Sequence, residues 1–386
     1  MQQMQDQLPC FRVCRAKAEN QEPESAKHGG HCIAGAELPC SFMPTISVQH
    51  LTQFCEAILE GAGVPRHKAE VTTGCLVASN LRGVDSHGIQ LLPFYIDQLL
   101  AGEMDAQAEG RVISESGSCL HFDGQNALGQ WVAENCCKHA VRIARENGMA
   151  LVVARESNHF GAAAWWAQKM RAAGQIGIVM CNASPIVPPW QGREGRMGTN
   201  PICMSVPGPW LLDMATTTVA AGKIFKAFLN DQPEIPAGWA FDSQGVPTTD
   251  TQAAYKGMLM PLGGYKGSGL AMMVEILCSV LSGGAMANEV GGIRFRGKRV
   301  RVSQMYMAID VARFMPLEVF TARVEQLVAL MKSTKTAPGY TEVMVAGDPE
   351  WRMEAERREN GIPIAGGNWD QLVKAAAKVH VSAPAV

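Results

Sequence analysis

From Thr45 onward the apolar positions recur at helical spacing. Leu51, Phe54, Ile58 and Leu59 make one stripe, and Gly61 and Gly63 close it, so the pattern predicts a helix there. A second helix is predicted from Pro65 to about Leu81, with Val71, Cys75 and Val77 inward, and a third from roughly Ile89 to Leu100, ending at Gly102. The period then changes. CLHFDG (119–124), MALVVARES (149–157), IGIVMCN (176–182), ICMSVP and WLLDMA (within 202–215) and MYMAIDV (305–311) read as strands. Between and after them, Trp131–Asn147, Ala162–Ala173, Lys266 to about Ser282 and Leu317–Lys332 read as helices, followed by a charged helical tail from Asp348. Residues 230–265 are punctuated by Pro, Gly and Asp, and no internal repeat is visible. Strands mixed with helices in this way predict an α/β or mixed α+β class.

Residues 1–42 break the pattern: they are rich in Gln, Glu and Lys and lack periodicity, so a disordered extension is expected there. Cys10, Cys14, His28, His31 and Cys32 fall in this stretch, but their spacing matches no common zinc pattern, and no metal is expected. Its acidic residues argue against a mitochondrial presequence. The remainder divides into an N-terminal helical part (43–118) expected to pack with a C-terminal helical part (315–386), around a central region (119–314) carrying the cofactor and substrate sites.

Composition narrows the class. At 386 residues the chain is long enough for two or three packed domains. A net charge of −2 with scattered Lys and Arg gives no basic surface for nucleic acid or membrane. No apolar run reaches the ~20 residues that span a bilayer, and the longest, Gly267 to Leu281, is interrupted by Glu275 and reads as a buried helix. The 12 cysteines, in a chain this long with no secretory h-region, read mostly as buried free thiols of a cytoplasmic enzyme.

Neither a GxxxxGK[ST] loop, a GxSxG elbow nor a GxGxxG after a strand is present. Four clusters could carry chemistry. In RGVDSHG (82–88), Ser86 is either the N-cap of the next helix or, with His87, part of a pocket rim at a helix mouth. Adjacent side chains usually diverge, so a direct Ser–His pair is not expected. In ESNHFGAAAWW (156–166), His159 is followed by small residues that let a ligand approach the backbone, or is simply part of a tight turn. In MGTNPICMSVPGPWLLDMATTT (197–218), Asp213 lies in an apolar stretch; a histidine would be a natural partner, and a capping role is the alternative. In PLGGYKGSGLAMMVE (261–275), Lys266 opens a helix, as an anion site or as a solvated lysine.

In this order the clusters resemble the type 2 malate/L-lactate dehydrogenase family, whose members include ureidoglycolate and sulfolactate dehydrogenases and reductases of cyclic imino acids such as piperideine-2-carboxylate. The likeness rests on RGVDSHG, SNHFGAA, GTNP with DMATT, PAGWAFDSQGVPTTD, GGYKGSGLAMMVEIL and RRENGIPI, and runs from about Met43 to about Asp370. It implies a non-Rossmann NAD(P)-binding fold with helical N- and C-terminal parts, a homodimer, NAD or NADP as cofactor and a small-molecule substrate. It also implies that His87 acts as the acid/base with Ser86 and Asp213 in a relay, while His159 matches the proton acceptor of the ureidoglycolate branch. His159, Phe160, Gly161, Ala162, Asp213, Met214, Ala215 and Lys266 match cofactor-contacting stretches, and Arg82, Thr199 and Asn200 are the implied substrate contacts. Members commonly read SHGxxR; Leu91 stands at the arginine position here, leaving Arg82 and Lys266 as candidate cations for an acidic substrate. Pro189-Trp190-Gln191-Gly192 stands where many members have a Gly-Gly pair.

The expected reaction is hydride transfer between nicotinamide and C2 of a 2-hydroxy or 2-oxo acid, malate- or lactate-like, or reduction of a cyclic imino acid. The rival classes are a pyridoxal-phosphate enzyme using Lys266 and a non-catalytic binding protein that keeps the fold.

Overall fold

A computed structural model describes residues 44–384 except Phe295. The 1–42 extension and its Cys/His group lie outside the described residues.

The N-terminal core is helical. Helices α1 (Val48–Gly61), α2 (Arg66–Leu81) and α3 (Leu92–Leu100) bury Leu51, Ile58, Leu76, Leu92 and Ile96 together. Ser47 caps α1 by accepting the His50 amide proton. The end of the chain returns to this core. Strand β1 (Thr45–Ile46) pairs with β12 (Ile362–Pro363), and Trp369, Leu372 and Ala376 of α11 (Gly366–Lys378) pack into the same cluster. α10 (Asp348–Asn360) lies against α2. α9 (Leu317–Lys332) stays out of this core and buries only Val328.

The central sheet has seven strands: β2 (Arg111–Ser116), β3 (Cys119–Asp123), β4 (Met149–Ser157), β5 (Gln175–Cys181), β6 (Ile202–Ser205), β7 (Leu211–Met214) and β11 (Val302–Asp310), in the order β2-β3-β4-β11-β5-β6-β7. Only β3 and β4 run parallel, so the sheet is not the doubly wound parallel sheet that a GxGxxG turn would serve. Alternation along β4 explains its two covers. Val152 and Ala154 face α4 (Gly129–Asn147) and α5 (Ala163–Ala172), while Val153 faces α8 (Tyr265–Glu275). The helix α8 continues into a π turn at Ile276–Val280, with Glu275 buried at the junction.

A smaller unit sits beside the sheet, built from α6 (Ala221–Leu229), α7 (Thr251–Lys256) and a sheet of β8 (Ala240–Phe241), β9 (Pro247–Thr248) and β10 (Met258–Leu259) around Val219, Ile224 and Ile235. Its first helix closes on the VDSHG turn: a methyl added at Gly222 would stand 2.9 Å from Cβ of Ser86.

Candidate active site

The VDSHG turn is held from both ends of the chain. Asn80 of α2 donates to Asp85 Oδ1 (2.7 Å) and accepts the Ile89 amide proton (2.8 Å). Gly88 must be glycine, because a Cβ there would fall 2.1 Å from the Asn80 amide oxygen. From α10, Arg357 grips Asp85 with both nitrogens, at 2.7 and 3.2 Å, and also donates to the Asn80 carbonyl. Wound this tightly, residues Asp85–His87 form a 3₁₀ turn in which Ser86 Oγ lies 3.0 Å from His87 Nδ1. The adjacent pair therefore does meet. Ser86 caps no helix: α3 begins at Leu92, after a second 3₁₀ turn, with Pro93 in its first turn.

His159 is placed by the turn after β4. Gly161 takes φ +79°, and a Cβ there would lie 2.5 Å from Cys75 Sγ of α2. Asn158 is buried and donates to the carbonyls of Asn126 (3.1 Å) and Ala127 (2.8 Å). The ring then receives two hydrogen bonds at Nδ1, from the Gly161 amide (3.2 Å) and from the Tyr95 hydroxyl (2.7 Å). Gln130 donates to that hydroxyl at 2.9 Å, which leaves its proton for the histidine. An amide N–H can only donate, so Nδ1 of neutral His159 carries the lone pair and Nε2 carries the proton.

The two imidazoles stack, with centroids 5.7 Å apart and planes 25° from parallel. Burial holds His87 down at about 4, with a further push from Arg294. Burial, the neighbouring His87 and Arg294 hold His159 down at about 3. Both rings are neutral at physiological pH.

The relay that the family resemblance implies for Asp213 is not drawn by its hydrogen bonds. Its carboxylate accepts the Ala164 amide proton (2.9 Å) at the start of α5, and among the described residues its hydrogen bonds do not reach either histidine. Crowding by protein pushes its carboxyl up to about 6, against the Ala164 bond and Arg82; solvent entering the cleft limits that displacement. Met214 and Ala215 follow it, half-buried, at the end of β7.

The implied substrate contacts mostly turn inward. Asn200, at φ +36°, donates to Ala271 O (2.9 Å) and Glu275 (3.1 Å) and accepts from the Ala183 amide (3.0 Å), so its side chain is fully engaged in tying the GTNP turn to α8. Thr199 offers its carbonyl to the amide (2.9 Å) and hydroxyl (3.0 Å) of Thr216, joining GTNP to DMATT. Arg82 is buried at the end of α2, 3.9 Å from Glu354; its charge acts on Asp213, not on the histidines. Leu91 is buried in the N-terminal core. Phe160 is a core residue stacked on Trp166, and Gly161 and Ala162 lead into α5. Lys266 is exposed in the first turn of α8, which lacks the burial that a Schiff-base lysine needs.

Tyr95, Gln130, Arg357 and Arg294 belong to the site and stand out weakly in the sequence. Tyr95 and Gln130 are single polar groups at inward positions of α3 and α4, and Arg294 lies in a basic run that resembles a solvated loop.

A family model described as malate/L-lactate dehydrogenase matches residues 46–373. The malate dehydrogenase of Pyrococcus horikoshii is 36% identical over 86% of this chain and 94% of its own length. A solved structure of malate dehydrogenase from that organism has a TM-score of 0.82 at 34% identity, covering 89% of this chain and 97% of that one. Ureidoglycolate dehydrogenase (NAD(+)) of Escherichia coli is 33% identical over 86% of this chain and 95% of its own. A delta1-piperideine-2-carboxylate reductase structure from Pseudomonas syringae has a TM-score of 0.77 at 28% identity, covering 86% of this chain and all of that one (100%).

Proposed function

We propose, since this chain belongs to the malate/L-lactate dehydrogenase family, that it is an NAD(P)-dependent oxidoreductase acting at C2 of a small 2-hydroxy or 2-oxo acid. The observation that carries this reading is the stacked pair of imidazoles, His87 with its Nδ1 3.0 Å from Ser86 Oγ and His159 with its Nδ1 taken up by two donors.

Two features suit a dinucleotide. The Gly161–Ala164 run presents no side chain larger than a methyl group, and Lys266 is free at the uncapped start of α8, where phosphate is favoured. When bound, the nicotinamide accepts or supplies the hydride. The protein's residues do the rest. Ser86 accepts the Nδ1 proton of His87, which leaves the His87 Nε2 lone pair to take the substrate hydroxyl proton. His159, its Nδ1 occupied, presents Nε2–H to the same oxygen and holds it as charge develops. In the reducing direction His87 first takes a proton from solvent at Nε2 and then passes it to the oxo group. Asp213 holds β7 against α5, and so sets the wall on which the cofactor rests.

A cyclic imino acid is the second reading, favoured by the likeness to the piperideine-2-carboxylate reductase structure; the same His87, once protonated, would give its proton to the imine nitrogen of the substrate as hydride reaches the carbon. The test is NADH and NADPH oxidation with malate- and lactate-derived 2-oxo acids and with cyclic imino acids. Turnover on an oxo acid is expected and identifies the cofactor. Turnover only on an imine moves the protein to the second reading, and turnover on neither defeats both.

Cytoplasmic residence fits the eight free thiols among the described residues. Among them no helix is long and apolar enough to cross a membrane. A homodimer is supported by two exposed apolar helix faces, on α8 with its π turn and on α9.

A further inference from the structure

Arg294 lies in the loop before β11 with its backbone fixed on both sides. Gln98 of α3 donates to the carbonyl of Ile293 (3.1 Å), and Glu103 holds the Gly297 amide (2.7 Å) and the Arg296 guanidinium (3.1 Å). Its own guanidinium carbon sits 5.4 Å from the Phe94 ring centre and 4.9 Å from that of Phe225. Half-buried between these elements, it is placed beside the two histidines: Phe94 precedes Tyr95, whose hydroxyl bonds His159, and Phe225 lies on α6, whose Gly222 abuts Ser86.

What is missing is a counter-charge. Among the described residues no carboxylate reaches Arg294; the one group that favours its charged form is the Tyr255 phenol, and burial holds its pKa below the ordinary guanidinium value. The other arginines of the site are paired: Arg357 with Asp85, and Arg82 beside Asp213 and Glu354. A desolvated cation without a partner is costly to keep. It becomes favourable when a ligand brings the anion. In a 2-oxo acid the carboxylate and the reacting oxygen are on adjacent carbons, so the cation that grips the acid must stand next to the imidazoles that hold the oxygen. Of the cations considered, only Arg294 does; Lys266 is exposed on α8, and neither histidine's charge state responds to it.

We propose that Arg294, held between Phe94 and Phe225, is the substrate-carboxylate site of this enzyme, and that it restricts the substrate to small acids whose carboxylate neighbours the reacting carbon. This rests on the reading of the cleft as an oxidoreductase site, but it can be tested apart from turnover.

The experiment is a calorimetric titration of oxalate into the full-length wild type, Arg294→Gln and Arg294→Lys, with and without NADH. Wild type is expected to bind oxalate, and the glutamine variant to bind it roughly 10–100-fold more weakly, as for loss of a charge-assisted forked pair. NADH affinity should be equal in all three. Lysine keeps the charge and the packing on the rings but not the fork, so it should fall between; it decides the case if the glutamine variant is unstable. Equal oxalate affinity in the variants and the wild type, or no binding by wild type, overturns the assignment. Oxalate binding that depends on Arg294 in a protein that turns over no oxo or imino acid would refute the proposed reaction and leave the anion site standing.

Discussion

At the scale of single residues, the division of labour between the two histidines rests on which ring nitrogen is already occupied. A glutamine at position 159 can still offer an N–H to the substrate oxygen, whereas a glutamine at position 87 cannot accept and return a proton. His87→Gln is therefore expected to lower kcat by roughly 10²–10⁴-fold, while His159→Gln keeps most of the turnover and mainly raises KM. Steady-state kinetics with the best substrate reads both, and a reversed order would exchange the two roles. The same residues set a pH signature. His87 moves from an ordinary 6.5 down to about 4 on folding, so between those values the unfolded chain binds protons that the folded one does not. Its contribution to stability is complete above the upper value and is lost as pH falls through the lower. Asp213 acts in the opposite sense, since its carboxyl is raised, but its exposed side chain keeps that contribution small. In thermal melts, His87→Gln should lose less stability than wild type on going from neutral pH to about 4.

At the scale of elements, the turn carrying Ser86 and His87 depends on a helix distant from it in sequence. Arg357 in α10 ties down Asp85, and Asp85 fixes the turn that points Ser86 at His87. Arg357→Gln is expected to reduce kcat about 10-fold with little change in cofactor affinity, and to destabilise the fold by about 1–3 kcal/mol. Arg357→Lys should recover part of the rate, and combining Arg357→Gln with Asp85→Asn should cost little more than either alone. A merely structural role would lower the melting point and leave kcat of the folded fraction unchanged. This link also explains what the sequence could and could not convey. The helices α1, α2 and α4 and the apolar strands β3–β5 and β11 were legible because burial on one face imposes a period, whereas α9 keeps its apolar spacing with only Val328 buried. β2 was not, since all six of its residues are exposed and polar or isolated apolar. The two-residue strands β8–β10 carry no period at all and exist through their neighbours. In the site, His87 and His159 stood out by motif. Asp213 was noticed as a buried-sequence carboxylate, but its partner, a helix amide, has no signature in sequence. Asn200 looked like a ligand contact because GTNP is polar, yet that polarity serves Glu275 and α8.

At the scale of the whole molecule, two helix faces remain without a partner. Along α8 and its π turn, Tyr265, Met272, Ile276 and Val280 are 63%, 60%, 48% and 57% exposed and succeed one another on the outward side. α9 buries only Val328 while Leu327, Leu330 and Met331 face out, with Phe314 just before it. Patches of this kind are uncommon on a monomer, and a helix with one buried residue has little tertiary support of its own. A second copy of the chain would cover both. It would also close over the turn carrying Lys266, so assembly and activity are expected to be linked. Light scattering should give twice the chain mass for wild type at micromolar concentration. Leu330→Glu with Leu327→Glu on α9, and Ile276→Glu with Val280→Glu on the π turn after α8, should each shift the protein to the monomer. Only the π-turn pair should also weaken cofactor binding, because that turn continues the helix whose first turn carries Lys266. A wild-type monomer with full activity would dismiss the dimer and leave the apolar faces to some other partner, whereas monomeric variants with wild-type turnover would show that each chain completes its own site.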